Sequence, residues 1–268
     1  MIYQVYKSTI KNLLRSVLFF FVLGIFLFVS LYSEIFDTTT NMHYIGFLKF
    51  IANLSLPMLR YPLAILIIVS VVIILNHDQE DNFFEIEKAA GLHPSNYIFT
   101  KLIAITSVNF IISAITVFIK FNIRIFRAKG IDFVGWEYCL IDSTVRIFRH
   151  LIFIVLPYIL FFVGTTYMIG TLCKSGVAAG ITGTTYAALY FIIDRIFEVY
   201  FITYLDYFSP MPMKLFWYMY YYDFVDFEGS LIQHNTSFEK AAFCFVFLSG
   251  TGIISAIISY FYTRKRTV

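Results

Sequence analysis

Residues 151–172 read LIFIVLPYILFFVGTTYMIGTL, a run without a single charged residue. At 1.5 Å of rise per residue, a helix of this length covers roughly 33 Å, and the hydrocarbon core of a bilayer is about 30 Å thick. Five further runs approach or meet the length of a crossing: Ser16–Ser33, Pro57–Asn76, Leu102–Ile119, Val177–Ile193 and Ala241–Tyr262. The chain as a whole is 59% hydrophobic and 14% charged, with a mean hydropathy of +0.77, which exceeds what a soluble core requires. The runs are continuously apolar. Barrel strands would be about ten residues long and alternate in polarity, so helices are selected. The expectation is an all-α integral membrane protein, a single transmembrane domain over 1–268 with six transmembrane helices.

The first run follows Lys7, Lys11 and Arg15 as the apolar part of a signal peptide would, but FVSLYSEIF after it offers no small-residue cleavage site. It reads as a retained first span. Cys139, Cys173 and Cys244 are odd in number and widely spaced, a pattern of neither a disulfide framework nor a zinc site. The formal charge of +3 and the lack of a basic run with interleaved aromatics speak against a nucleic-acid partner.

Basic residues set the orientation. Segments 1–16, 77–101, 173–176 and 263–268 hold nine of them, including Lys88, Lys101, Lys174 and Arg264–Arg266. The alternate segments 34–56, 120–150 and 194–240 hold ten over roughly twice the length. The density places both termini in the cytoplasm. Lys120, Arg124 and Arg127 recur at helical spacing just past the third span, on the opposite side. The segment before the last span, 196–230, carries SPMPMKLFWYMYYYDF with Trp217 and Tyr218 clustered. Such rings settle at headgroup depth, which predicts short interfacial or re-entrant helices there.

One charged cluster interrupts the apolar runs on the cytoplasmic side: EDNFFEIEKAAGLHPSNYIFTK, Glu80–Lys101. From Gln79 to Ala90 the pattern fits a short helix, with Phe83, Ile86 and Ala90 on one side and Asp81, Glu85 and Lys88 on the other. Asp78 is positioned to cap its start, and Glu80 and Asp81 oppose the helix dipole. Gly91 suits the left-handed position after a helix end, Leu92 the contact that follows it, and Pro94 blocks continuation. Ser95 then caps a helix that enters the membrane with Lys101 at the boundary. Three turns of helix are marginal alone in water, so this segment needs a surface to pack on. It rests on lipid headgroups as a connector or docks a soluble protein.

A basic amphipathic N-terminal segment (YQVYKSTIKNLLR), six spans, and an acidic short helix after span two that ends in glycine and is followed by Lys101 resemble the permease subunit of an ATP-binding-cassette exporter of the type 2 class. The resemblance implies that 78–95 is the coupling segment seated in a groove of a separate ATPase subunit. Glu80, Glu85 and Glu87 would be its acidic positions, Phe83, Phe84, Lys88 and Leu92 docking contacts, and Gly91 the terminator. It further implies that Lys101 marks membrane entry and that Lys7, Lys11 and Arg15 belong to an interfacial helix. A second permease copy or a related permease would complete a pathway lined by spans one, two and five, in a bacterial cytoplasmic membrane. Many relatives carry Gly-Thr directly after the acidic residue, where this chain has DNFF.

The chain lacks GxxxxGK[ST], so any ATP would be bound by another polypeptide, and the resemblance implies a non-catalytic subunit, not itself an enzyme, whose ATP and Mg are held by the partner. The metal-capable side chains of HDQED at 77–81 point in different directions from a helix start, which favours capping over coordination. Arg60, Asp194 and Arg195 lie near span ends, and no span has an ionisable residue at its centre, which argues against a proton-coupled carrier. Gly176, Ala179, Gly180 and Gly183 allow close helix approach, read as packing within the subunit, and Gly250 and Gly252 read the same way. Pro157 is expected to kink span four. With 32 Phe and 20 Tyr, an amphipathic or hydrophobic cargo is expected: a peptide or antimicrobial, a drug or a lipid. The alternative is a six-span secondary carrier, channel or membrane scaffold without an ATPase.

Overall fold

Every described element is helical. The computed structural model describes residues 2–36, 62–80, 94–128, 144–145, 147–200 and 238–266. In order these are α1 (Ile2–Arg15), α2 (Val17–Phe36), α3 (Pro62–Glu80), α4 (Pro94–Ala128), a π-helical turn (Leu151–Val155) continuing into α5 (Leu156–Cys173), α6 (Gly176–Tyr200) and α7 (Phe238–Arg266). Among them, Asn96–Ile123, Ile147–Cys173 and Ala242–Thr263 are long and apolar enough to cross a membrane. A fourth is added if α1 and α2, bent by 72° at their junction, form one span, and Pro62–Asp78 is apolar but shorter. The described residues therefore support an all-helical membrane protein with three or four spanning helices.

The bend follows from composition. α1 buries Val5, Thr9 and Leu13, spaced by four residues on one stripe, and leaves Lys7, Lys11 and Arg15 exposed. α2 has no charge until Glu34. Ser16 stands between them, and its hydroxyl accepts the Phe19 amide at 3.4 Å, capping the new helix.

α4 runs well beyond the apolar run at Leu102–Ile119, because no glycine or proline follows Pro94 within it. Lys120, Arg124 and Arg127 therefore sit on the same helix as the span rather than in a loop beyond it. Lys120 is fully buried. Asn109, Ser113 and Thr116 are buried on α4 too, and each donates to a carbonyl one turn back, at 2.9, 2.8 and 2.8 Å. Polar donors in an apolar surround are satisfied this way without a partner helix.

Pro157 has no N–H to return to Phe153, and the ladder widens into the π turn at Leu151–Val155 immediately before it. The local irregularity at Pro157 is this π turn, and Ile147–Cys173 runs through it as one candidate span. At the far end of α5, LCKSG makes the tight turn read from the sequence. Lys174 adopts the left-handed conformation with φ 53°, its amide donates to the Gly170 carbonyl, and the Ser175 hydroxyl accepts the Ala178 amide at 3.2 Å to start α6. Ser175→Ala should lower stability by about 1 kcal/mol through loss of this cap, read as a lower unfolding midpoint in detergent.

Glycines set the closest approaches. A Cβ on Gly176 would overlap the Asn76 side chain, while Cβ atoms on Gly180 and Gly183 would lie 3.3 Å from Val72 and from Ile68. The small-residue stripe of α6 thus packs antiparallel along α3 within the chain, as read from sequence. Gly164 of α5 and Gly252 of α7 meet backbone to backbone, so that a Cβ on either would run into the partner helix. Gly250 faces open space, which separates it from Gly252.

One end of the bundle gathers segments that the basic-residue pattern assigns to a single side. Asp78 of α3 meets Tyr97 of α4, Phe99 of α4 pairs with Tyr260 of α7 at 6.4 Å, and Tyr262 reaches the Leu172 carbonyl of α5 at 3.5 Å.

Candidate functional site

At this end, α3 finishes and α4 begins. Asp78 lies two residues past the apolar run ending at Asn76, in the last turn of α3, with its side chain 17% exposed. Lys101 lies two turns into α4, with its side chain 5% exposed. Its ammonium donates to an Asp78 carboxylate oxygen and to the Tyr97 hydroxyl. Tyr97 in turn donates to the same Asp78 oxygen at 3.0 Å. Tyr97 and Lys101 are one helical turn apart, so both project from the same side of α4 toward α3.

The three side chains close a triangle of mutual hydrogen bonds. Two opposed forces act on its carboxyl. Burial pushes the Asp78 carboxyl above the ordinary carboxylate range, while Lys101 and the hydrogen bonds from Lys101 and Tyr97 pull it down without prevailing. The chemistry available here is mechanical: an ion pair with a phenol brace that fixes the end of α3 against the start of α4.

Asp78 thus has a different role from the one its neighbours in sequence imply. It does not start a new helix at Gln79, because α3 continues through Glu80. The apolar periodicity of span two carries the helix past its last hydrophobic residue, and the long-range pair with Lys101 outweighs local capping. Lys101, which adjoins the third apolar run, falls within the candidate spanning helix Asn96–Ile123 and is buried against Asp78. Of the other candidate residues, Glu80 is the last residue of α3. Phe83, Phe84, Glu85, Glu87, Lys88, Gly91 and Leu92 lie outside the described residues, as do Arg60 and the aromatic cluster around Trp217. Lys7, Lys11 and Arg15 are exposed on α1, which packs against both α4 and α3. The structure therefore packs α1 against the two helices, α3 and α4, whose ends the Asp78–Lys101 pair ties together.

No family model, curated protein or solved structure matches this chain.

Sequence reading missed the partnership of Asp78 and Tyr97 with Lys101. The available signal was a pair of opposite charges at the edges of two successive apolar runs, since isolated charges at such depth are costly and seek one another.

Proposed function

We propose that this chain is the transmembrane permease subunit of an ATP-binding-cassette exporter of the type 2 class, six-spanned, with both termini in the cytoplasm of a bacterial cell. The segment between Asp78 and Ser95 is its coupling segment. Glu80, Glu85 and Glu87 face a separate ATPase subunit that binds ATP and Mg, and a second permease completes the pathway for an amphipathic or hydrophobic cargo. The observation that carries this reading is the Asp78–Tyr97–Lys101 triangle. It holds together the two helix ends from which the acidic segment leaves and to which it returns, and α1 packs on the same helices. A segment that receives force from a soluble partner needs a rigid base if the motion is to reach the spans.

Glu85→Arg/Glu87→Arg tests it. Purified in mild detergent from its native host, the wild-type chain should bring down an ATPase, and the double variant should retain less than about a tenth of that activity. Charge reversal at a docking surface costs several kcal/mol in the worst placements. A wild-type preparation with no co-purifying ATPase would sink the permease reading and favour a carrier, channel or scaffold.

A further inference from the structure

α4, α5 and α7 enclose a groove of about 240 Å³. Gly164 and Gly252 form part of its floor, where α5 and α7 come closest. Ile103 and Ile253 line it and are more than half exposed. All three helices are long and apolar enough to cross a membrane, and with them placed in a bilayer the groove would open sideways into hydrocarbon. Of the hydroxyls in its walls, that of Ser107 donates to the Ile103 carbonyl at 2.7 Å and asks nothing of an occupant.

Its place and size limit what fits. Along α4 it runs from Phe99 to Ser107, about 12 Å of helix and well under the roughly 30 Å of hydrocarbon. A groove this short and apolar accommodates part of a single chain of methylenes lying along it. The groove also lies toward the end of the bundle where Phe99 meets Tyr260.

Beyond that end the chain changes character. α7 carries Arg264, Lys265 and Arg266 in its last turn, and there is no Asp or Glu from Phe243 to Val268. At 100° per residue, positions 253, 256, 260 and 264 fall within about 80° of one another. The groove, the aromatic pair and the first basic position therefore follow one stripe of α7.

We propose that the groove holds one acyl chain of an anionic phospholipid whose headgroup is met by the basic end of α7. The bilayer supplies the chain at this depth, and the three basic residues supply the preference for negative charge. The inference needs only the membrane placement of these helices and holds with or without an ATPase partner.

The test uses the full chain, delipidated in mild detergent and titrated with phosphatidylglycerol or phosphatidylcholine of identical acyl chains, bound lipid being counted by native mass spectrometry. Wild type should bind one phosphatidylglycerol about tenfold or more tightly than phosphatidylcholine. Arg264→Gln/Lys265→Gln/Arg266→Gln should bring the two lipids to equal affinity. Ala256→Phe should weaken both by about tenfold or more by filling the groove, and Ser107→Leu, at a half-buried position, serves the same purpose if Ala256→Phe fails to fold. Equal affinity of wild type for the two lipids overturns the proposal. So does lipid binding that neither groove-filling variant weakens, or a second copy of the chain displaced by those variants in place of lipid.

Discussion

Lys101→Met should lower the unfolding free energy by about 3 kcal/mol, because it leaves the Asp78 carboxylate without its cation in a site largely closed to water. For a chain of this size that corresponds to a fall of roughly 6–12 °C in the unfolding midpoint. Asp78→Leu should cost a similar amount, since the Lys101 ammonium is the more buried partner. The double variant Asp78→Leu/Lys101→Met should behave differently. Taking two charges out of water costs about as much as their attraction returns in many buried pairs, and burial is the largest influence on the Asp78 carboxyl. Replacing both charges by apolar groups of similar size removes both terms, and stability should return to within about 1 kcal/mol of wild type or exceed it. Unfolding in detergent micelles followed by Trp and Tyr fluorescence measures all three. A double variant as unstable as the sum of the singles would show that the attraction, not the desolvation, dominates.

The same double variant separates stability from transmission. With stability restored, any change in the ATPase activity of the proposed complex would come from the lost alignment of α3 with α4. Activity below wild type at unchanged stability would make Asp78, Tyr97 and Lys101 positioning residues for the proposed coupling segment. Unchanged activity confines them to holding the fold.

Much of the architecture is legible in one dimension because membrane helices announce themselves by length. The run at Leu151–Leu172 has no reading except a spanning helix, and the structure extends the same helix back to Ile147. The amphipathic α1 and the small-residue stripe of α6 are legible for a related reason: each is a periodic pattern on one element, and the structure shows the face buried. What local pattern cannot supply is the identity of a partner. Gly250 and Gly252 look alike in sequence, yet only Gly252 meets another helix. Asp78 beside His77 and Glu80 looks like a helix cap, and its actual partner lies 23 residues away on the next helix. The extent of α4 was hidden for a third reason. Lys120 ends the apolar run, but a charged residue does not end a helix when nothing breaks its backbone.

Gly252→Leu should abolish accumulation of folded protein. In an ordinary core an added side chain costs about 1–3 kcal/mol, because neighbouring side chains shift to admit it. Here the obstacle is backbone: a Cβ on Gly252 would run into the Leu160 carbonyl, and one on Gly164 into Gly252 itself. Main chain in a helix cannot rotate aside, so α5 and α7 must separate. Their contact is the most extensive between any two described helices, and within lipid no hydrophobic effect would draw them back, since tails solvate apolar surface as well as a neighbouring helix does. The expected loss is therefore above about 3 kcal/mol, with Gly164→Leu equally severe. Gly250→Ala lies on the same helix, two residues away, with nothing within 4 Å of its Cβ, and should be neutral or stabilising by up to about 1 kcal/mol through helix propensity. Monodisperse yield by size-exclusion chromatography in detergent compares the three. A Gly252→Leu yield equal to that of Gly250→Ala would mean that α5 and α7 do not meet at these glycines, and the floor of the lipid groove would be lost with that contact.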